Sequence, residues 1–430
     1  MKGETLRSAF IFVFIVFFLF ESGCSEEGGQ CVAGSENCIC EESGTCDPGL
    51  SCSADNICVE ADTDSGDSGS ACAFSCTATC EAEGGTAAAG TCPDAAQQCC
   101  DMTEVDTDTG GPLTCDIPLR TPITRDIFTA DPSAHVFDGT LYVYPSHDED
   151  NAWDSFNMID YHVFSLSAEC RFVDEGRILG VDDVPWAQSD LWAPDAAYRD
   201  GTYFFYFPAK DSSGQFHIGV ATASSPTGPF TPESSYIQGS FSIDPAVFID
   251  DDGQAYMYFG GLWGGQLECY KNGDYDGVCQ EPYTGPALGP RVVRLDSSMK
   301  TISGAVEEIS ILGPTGSSLL ALDHNRRFFE GAWMHKRNNM YYLSYSTGDT
   351  RLLVYATADN PTGPFTYRGV LLPDHGSGWT THHSVVEFQD AWYLFYHDSQ
   401  CSGGNTNQRC VKVADLHYNT DGTIQTVSLR

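Results

Sequence analysis

The sequence is poor in basic residues. Its 430 residues include 21 Lys and Arg against 60 Asp and Glu, for a formal net charge of −39, and no Lys or Arg occurs between Arg7 and Arg120. A face that binds nucleic acid or an anionic membrane needs clustered basic side chains. The composition therefore argues against nucleic acid as a partner. The net charge does not indicate which reaction the protein catalyses, because it acts chiefly on solubility.

Several motifs of common enzyme classes are also missing. The chain contains no G-x-S-x-G, no H-E-x-x-H and no G-x-x-x-x-G-K-[ST], which are the nucleophile elbow, the zincin motif and the phosphate-binding loop. The acidic run at residues 62–67 lacks the register of an EF-hand and is interpreted as linker. We therefore expect no organic cofactor.

The hydrophobic run near the N-terminus is short. Residues 9–20 are apolar, too few to cross a bilayer as a permanent helix. Basic residues precede this run and small residues follow it, which is typical of a signal peptide over residues 1–24. We expect export, to the cell surface or as a secreted or periplasmic protein. The Ser-Gly-Cys ending makes Cys24 a candidate lipid anchor to the membrane, although Glu21 stands where such signals usually carry Leu.

Cysteine is abundant, with 19 residues, which indicates an oxidising compartment. After Cys24 the cysteines fall into three sets of six, within residues 31–58, 72–100 and 115–410. The absence of histidine near the first two sets argues against zinc. Residues 25–111 are therefore interpreted as an acidic stalk with two small disulfide-stapled modules. The stalk is a spacer or a sugar- or protein-binding segment, and the sequence does not decide which.

The six later cysteines allow a specific pairing. Cys269 and Cys279 lie ten residues apart, and Cys401 and Cys410 lie nine apart, each pair within a Gly-rich segment. We predict a disulfide in each of these pairs. The remaining bond then joins Cys115 to Cys170.

Residues 112–430 contain a repeated hairpin. A few apolar residues, a turn with Asp, Asn or Gly, and a tyrosine-rich strand recur five times, from His135, Ala197, Val247, Met334 and Val386. Alternation with period two indicates strands, and no convincing amphipathic helix occurs. A stack of β-sandwiches would not explain one unit recurring five times. The pattern predicts an all-β domain, a five-bladed β-propeller.

Three carboxylates precede these hairpins in matching register. Asp131, Asp244 and Glu330 each lie twelve or thirteen residues before a tyrosine of the following strand. Equivalent positions of different blades lie on one circle, so the three side chains should meet at one end of the central channel. Like charges raise one another's pKa, and glycoside hydrolysis requires one protonated and one ionised carboxyl group. The alternative is that the Asp-Pro pairs only shape turns.

The segments that begin the five blades resemble those of the family 43 glycoside hydrolases, over residues 120–430. The matching segments are Phe128-Thr-Ala-Asp131-Pro-Ser, Trp192-Ala-Pro-Asp195, Ser242-Ile-Asp244-Pro, Phe329-Glu330-Gly-Ala-Trp333 and His382-His383-Ser-Val-Val-Glu-Phe. The resemblance implies an inverting mechanism. Asp131 would be the general base and Glu330 the general acid, while Asp244 would orient the acid and raise its pKa.

The resemblance also implies roles for residues around the carboxylates. Arg409 matches an arginine that hydrogen-bonds the sugar, and His382 matches a contact to a structural calcium ion on the propeller axis. Trp192 and Trp333 are candidates for the apolar wall under the sugar ring, with packing between blades as the alternative. Asp195 is interpreted as structural.

The leading hypothesis is an exo-acting α-L-arabinofuranosidase or β-xylosidase that acts on plant-cell-wall polysaccharide or oligosaccharides. An endo-arabinanase or a galactan-cleaving enzyme of the same family remains an alternative, because blade-connecting loops set the shape of the subsites. A non-catalytic carbohydrate-binding propeller at the cell surface and a scaffold for protein partners are alternatives from other classes.

Overall fold

The computed structural model describes residues 115–150, 155–271, 273–280 and 284–429, together with short strands in the first 111 residues. The chain divides into two compact units, Met1–Gly111 and Pro112–Arg430. The first unit contains paired strands, and the predicted signal peptide and the cysteines outside these strands lie beyond the described residues. Its strands are Ser25–Glu26, Gly29–Gln30, Leu50–Cys52, Cys58–Glu60, Ser75–Thr77, Thr86–Ala87 and Gln98–Asp101.

The second unit is a ring of five antiparallel sheets, which confirms the predicted five-bladed propeller. Strands follow one another in chain order within each blade. Blade I contains Phe128–Phe137, Thr140–Asp148, Asp160–Leu166 and Phe172–Gly180. Blade II contains Asp195–Arg199, Thr202–Lys210, Phe216–Ala223 and Thr231–Pro232. Blade III contains Ala246–Ile249, Ala255–Phe259, Arg291–Leu295 and Ile302–Glu308.

The last two blades depart from four strands. Blade IV contains Glu330–Arg337, Met340–Ser346, Leu353–Ala358 and Phe365–Leu372, with Ile311–Leu312 added in parallel at its outer edge. Blade V contains His383–Phe388, Ala391–Asp398 and Cys410–Leu416. A small hairpin, Tyr270–Lys271 with Asp274–Tyr275, and four 3₁₀ turns, Val181–Asp183, Trp263–Gly265, Leu267–Cys269 and Gln400–Ser402, lie in the connections. Among the described residues no helix is long and apolar enough to span a membrane.

Blade V is completed by the segment that precedes blade I. The N–H of Arg120 donates to the carbonyl of Val413 at 2.7 Å, and the N–H of Ile123 donates to that of Val411 at 3.0 Å. This segment therefore covers the outer edge of Cys410–Leu416, where a fourth strand would lie. The two ends of the propeller sequence thus meet in one blade and close the ring, which leaves that edge paired.

The three disulfides predicted for this unit are confirmed. Cys115 is bonded to Cys170, Cys269 to Cys279, and Cys401 to Cys410, with Cα–Cα distances of 5.4, 4.0 and 6.3 Å. The first of them ties the segment before blade I to the connection between the last two strands of that blade. The other two close short loops.

Buried tyrosines join each of blades I to IV to the blade that follows it, which explains why the hairpin repeat is rich in tyrosine. A hydroxyl on the second strand of one blade donates to a backbone carbonyl at the outer side of the following blade. A buried Tyr hydroxyl needs such a partner. The pairs are Tyr144 with Pro226, Tyr206 with Met299, Tyr258 with Pro361 and Tyr342 with Gly422. The two acceptor prolines belong to the repeated Pro-Thr-Gly-Pro-Phe segments.

Candidate active site

The three predicted carboxylates line one pocket of about 220 Å³, so the predicted convergence is confirmed. Asp131 lies in the first strand of blade I, Asp244 lies two residues before that of blade III, and Glu330 begins that of blade IV. Their local backbone is unusual: φ is 49° at Asp131, 58° at Asp244 and 65° at Gly331. The strand register also shifts beside Asp131 and beside Glu330. Such bulges re-aim side chains and are common next to active sites.

Asp131 is a buried carboxylate with several polar partners. Arg409 Nη1 donates to Oδ1 at 2.9 Å, the Ser146 hydroxyl donates to Oδ2 at 2.8 Å, and the Asp131 N–H donates to His397 Nδ1 at 3.0 Å. Burial alone would raise the pKa of Asp131. The guanidinium of Arg409, with a smaller contribution from the hydrogen bond of Ser146, instead holds that pKa below its usual value. Asp131 is therefore ionised and able to accept a proton.

Arg409 is held between two buried carboxylates. Its Nε and Nη2 donate to the two carboxylate oxygens of Asp148 at 2.8 and 2.7 Å and so form a bidentate pair. Its Nη1 donates to Asp131. Arg409 and Asp148 are 2% and 1% exposed. The sequence predicted Arg409 but did not predict Asp148. Arg409 lines the pocket, and in this structure its donors bind protein carboxylates. Its hydrogen bond to a sugar stays a prediction.

Asp244, which is buried, and Glu330, which is partly exposed, form a pair of acids at the pocket. Asp244 Oδ2 accepts the N–H of Gly331 at 2.9 Å, directly after Glu330. Burial, followed by repulsion from Glu330 and Asp131, raises the pKa of Asp244 well above its usual value. Burial and Asp131 likewise raise the pKa of Glu330, against a smaller opposing effect of Arg409. The two groups titrate as a unit and retain a proton near neutral pH.

His397 is a neutral imidazole that sequence reasoning missed. Burial, followed by Arg409, lowers the pKa of His397 to about 3. Its Nδ1 accepts the N–H of Asp131, so its Nε2 carries the proton and donates to the Thr380 carbonyl at 3.1 Å. His397 therefore fixes the backbone at Asp131. A signal was present, because a His-Asp pair ends the second strand in both blade I and blade V.

His382, the predicted metal contact, lies between two of the carboxylates. Its Nδ1 is 3.9 Å from Asp131 Oδ1 and 3.8 Å from Asp244 Oδ2. Burial lowers the pKa of His382, which leaves a neutral imidazole able to coordinate a cation. Calcium takes six to eight oxygen ligands, and the neighbouring carboxylates already accept hydrogen bonds from the protein. These residues fit a cation held by one imidazole and mostly by water.

Aromatic rings form the pocket walls. Trp192 lies there as predicted, and its Nε1 donates to the Phe156 carbonyl at 2.9 Å. The sequence missed Trp263 and Trp379, whose rings stack with centroids 5.7 Å apart and remain 45% and 37% exposed. Both lie in blade connections that the hairpin repeat does not cover. Such partly exposed rings are suited to stacking against the apolar face of a sugar.

The predictions for Trp333 and Asp195 have different outcomes. Trp333 does not line the pocket, which corrects its prediction as a sugar wall. Its ring is 7% exposed, its Nε1 donates to the Val385 carbonyl, and it packs 5.5 Å from His135, between blades. Asp195 is structural, as the sequence suggested, because its carboxylate forms hydrogen bonds with His135 and with the Ser133 hydroxyl of the neighbouring blade.

The amino-acid sequence is similar to those of known proteins. The family model of the glycosyl hydrolases family 43 matches residues 119–424. A xylosidase/arabinosidase 43A of Humicola insolens is 54% identical over 325 residues, covering 71% of this chain and 98% of its own. A xylosidase/arabinosidase of Bacteroides ovatus is 49% identical over 309 residues, covering 70% and 95%.

Solved structures give the same result. One is a β-xylosidase/α-arabinofuranosidase from a compost metagenome, in complex with xylotriose and described as a calcium-free form. It is 54% identical with a TM-score of 0.71, and the match covers 73% of this chain and 98% of that one. A family 43 enzyme of Xanthomonas citri complexed with xylotriose is 55% identical with a TM-score of 0.69, covering 71% and 92%. The chain therefore belongs to the glycosyl hydrolases family 43 and is a glycosidase.

Proposed function

We propose that the propeller removes terminal β-xylosyl or α-L-arabinofuranosyl units from plant-cell-wall polysaccharide or oligosaccharides, with inversion at the anomeric carbon. The observation that carries this proposal is that the ionised Asp131 and a pair of acids that retains a proton, Asp244 with Glu330, meet in one small, aromatic-walled pocket. Relatives named for both sugars support the substrate class.

The different pKa shifts of the three carboxyl groups indicate which of them acts as the base and which as the acid. Arg409 keeps Asp131 ionised, so Asp131 is the group that takes a proton from the attacking water. Glu330 has a raised pKa, so it holds the proton that the leaving oxygen requires. Asp244 accepts a hydrogen bond from the peptide group that follows Glu330, which positions the acid, and repulsion between the two carboxyl groups favours a proton on the pair.

The size of the pocket supports exo action. At about 220 Å³ it is smaller than the roughly 300–1,000 Å³ typical of pockets for drug-sized ligands. A space of this size suits one terminal pentose and does not suit the middle of a polymer. The stacked rings of Trp263 and Trp379, partly exposed at the same pocket, would contact the next sugar unit.

We also propose that His382 contacts a calcium ion on the propeller axis. Its neutral imidazole lies under 4 Å from Asp131 and Asp244. A cation there would supply positive charge and ordered water beside these carboxylates. In the chain itself, His382 also contacts Gly331, where a Cβ atom would come within 3.3 Å of Nδ1. His382 therefore helps to hold the backbone after Glu330.

We further propose that the protein is exported to the cell surface and is held there by a lipid attached to Cys24. The cysteine count supports an oxidising compartment. Such a location would place the enzyme where plant polysaccharide is available. Labelling with a radioactive fatty acid, compared between the natural chain and Cys24→Ser, tests the anchor. Label retained by the variant would contradict it.

Nitrophenyl glycosides followed by xylo-oligosaccharides, arabinoxylan, arabinan and galactan test the activity. We expect release of xylose or arabinose, one unit at a time, and loss of turnover in Asp131→Asn. The exposed turn residue Asp200, at φ 51°, offers the matched control, because Asn also tolerates this conformation. Release of internal oligomers would indicate an endo enzyme, and binding without hydrolysis a carbohydrate-binding propeller.

Proton NMR of the first product tests the stereochemistry separately. Direct attack by water on a β-xyloside gives α-xylose first, which then equilibrates slowly with the β-anomer. Early appearance of β-xylose would contradict the assignment of Asp131 as a base, since it requires a covalent intermediate.

A further inference from the structure

The strand Thr140–Asp148 presents alternate residues to opposite faces of blade I. Ser146 and Asp148 contact residues of the pocket. His147 lies between them and therefore points to the other face. There it meets two side chains of the next strand, in a cluster to which the proposed hydrolysis gives no role.

The cluster consists of His147, Asp160 and His162. Tyr161 pairs with Ser146 in the antiparallel sheet, so Asp160 lies opposite His147, and His162 shares the face of Asp160. His147 Nδ1 lies 2.6 Å from Asp160 Oδ1, and one donor atom from each of the three residues lies within 4.8 Å of the others. Two imidazoles and a carboxylate form a ligand set that zinc accepts, with water in the fourth position.

A fourth residue orients the cluster. His162 Nδ1 lies 3.0 Å from both carboxylate oxygens of Asp174. This contact places the Nδ1 proton toward Asp174, so that Nε2 carries no proton and its lone pair is free to bind a metal ion. A carboxylate behind a ligating histidine is the usual arrangement at protein metal sites, where it fixes the tautomer and increases basicity.

Charge and access also suit a cation. Carboxylates lie beside both imidazoles, with Asp160 at 2.6 Å from His147 and Asp174 at 3.0 Å from His162. Arg177 faces Asp160 from the side, with its Nε 3.6 Å from Oδ2, and leaves Oδ1 to the cluster. The side chains of the three donor residues are 17–20% exposed, so an ion from solvent can reach them.

We propose that His147, Asp160 and His162 bind one zinc ion. Tetrahedral coordination places the donor atoms about 3.3–3.5 Å apart. His147 Nδ1 and Asp160 Oδ1, now 2.6 Å apart, would therefore separate, and donor atoms that are farther apart, all within 4.8 Å, would approach one another. His147 and Asp160 stand at the two ends of the connection that carries Phe156 and Met158 into the pocket. A bound ion would therefore link the two ends of the connection that contributes Phe156 and Met158 to the pocket.

Calorimetric titration of the chelator-treated, full-length protein with zinc chloride tests the site. We expect the natural chain to bind one more equivalent than Asp160→Asn or His162→Gln. Asp174→Asn should retain the site with an affinity about 10–100-fold lower. His417→Gln is the matched control, because His417 pairs with Asp415 on the surface at 2.9 Å and belongs to no three-residue cluster among the described residues. It should bind zinc like the natural chain.

Cobalt substitution provides a second, direct measurement. Tetrahedral Co²⁺ with nitrogen and oxygen ligands absorbs visible light, and this absorbance should appear in the natural chain and in His417→Gln but not in His162→Gln. Circular dichroism establishes that each variant is folded. Equal zinc affinity and stoichiometry in folded Asp160→Asn, His162→Gln and the natural chain would overturn the proposal, as would the absence of cobalt absorbance in the natural chain.

Discussion

Asp244 reaches from blade III to blade IV and accepts the backbone N–H of Gly331 at 2.9 Å. The peptide group in this bond directly follows Glu330, and Gly331 has a left-handed φ of 65°. A carboxylate of one blade thus fixes the main chain that carries the acid of another. The same contact brings the buried Asp244 close to the partly exposed Glu330, so one residue affects both the position and the proton affinity of the acid.

Replacing Asp244 by Asn should therefore change the pH profile. Glu330 works as an acid only while protonated, and activity falls as pH rises through its pKa. Burial and Asp131 raise the pKa of Glu330, and the mutual repulsion between Asp244 and Glu330 acts in the same direction. Removing this repulsion should therefore move the alkaline limb of kcat to lower pH. We expect kcat to fall by at least ~10²-fold, as for a misplaced acid. Profiles of Asp244→Asn and Asp200→Asn, measured on one aryl glycoside, check this, and an unmoved alkaline limb would contradict it.

The Arg409–Asp148 pair should be important for stability as well as turnover. Both side chains are buried, and removing one partner from a buried ion pair costs about 3–5 kcal/mol. Asp148→Ala should lower the free energy of unfolding by about that amount. It should also lower kcat more than it raises KM, because Arg409 then loses the anchor that directs it to Asp131.

Chemical denaturation and steady-state kinetics measure the two effects. The half-exposed Arg351–Asp374 pair, at 2.7 Å, provides the control, and Asp374→Ala should change stability by less than about 1 kcal/mol. Equal losses in the two variants would show that burial gives the Arg409 pair no special role.

The sequence predicted the repeated parts of this molecule better than its connections. The blades follow from alternation, the carboxylates from their register within a repeat, and two of the three disulfides from short cysteine spacings. The third disulfide followed as the remaining pair. Trp333 shows where such rules fail. It lies three residues after Glu330 in the same strand, Glu330–Arg337, and the sequence pattern does not distinguish a residue that lines the pocket from one that packs between blades. Trp263 and Trp379 lie in connections without a repeat, so only the folded chain brings their rings together. Asp148 was overlooked because its partner, Arg409, is 261 residues away.

The segment before blade I should be needed for folding, and the stalk should not be needed for chemistry. A chain that begins at Pro112 keeps the residues that cover blade V and should hydrolyse aryl glycosides at close to the full-length rate. A chain that begins at Arg125 lacks the bonds from Arg120 and Ile123 and the Cys115–Cys170 disulfide. It should unfold at a lower temperature.

A double Cys115→Ser, Cys170→Ser variant of the longer chain separates the two contributions. A disulfide typically contributes about 2–4 kcal/mol, so loss of stability in this variant should be smaller than in the chain beginning at Arg125. Equal stability of the two shortened chains would show that ring closure does not depend on this segment. A large loss of rate at Pro112 would show that the stalk contributes to the pocket.

The different roles of Asp131 and Glu330 should appear as different dependence on the leaving group. Asp131→Ala should abolish turnover of every substrate, because no leaving group replaces the base that deprotonates water. Glu330→Ala should lower kcat on natural xylo-oligosaccharides by about 10²–10⁴-fold, yet largely spare dinitrophenyl glycosides, whose leaving groups depart without protonation. Its alkaline limb should also vanish, since that limb reports the raised pKa of Glu330. Kinetics of both variants across aryl glycosides of graded leaving-group pKa measure this. If Asp131→Ala, rather than Glu330→Ala, regained activity as the leaving group improved, the two roles would have to be exchanged.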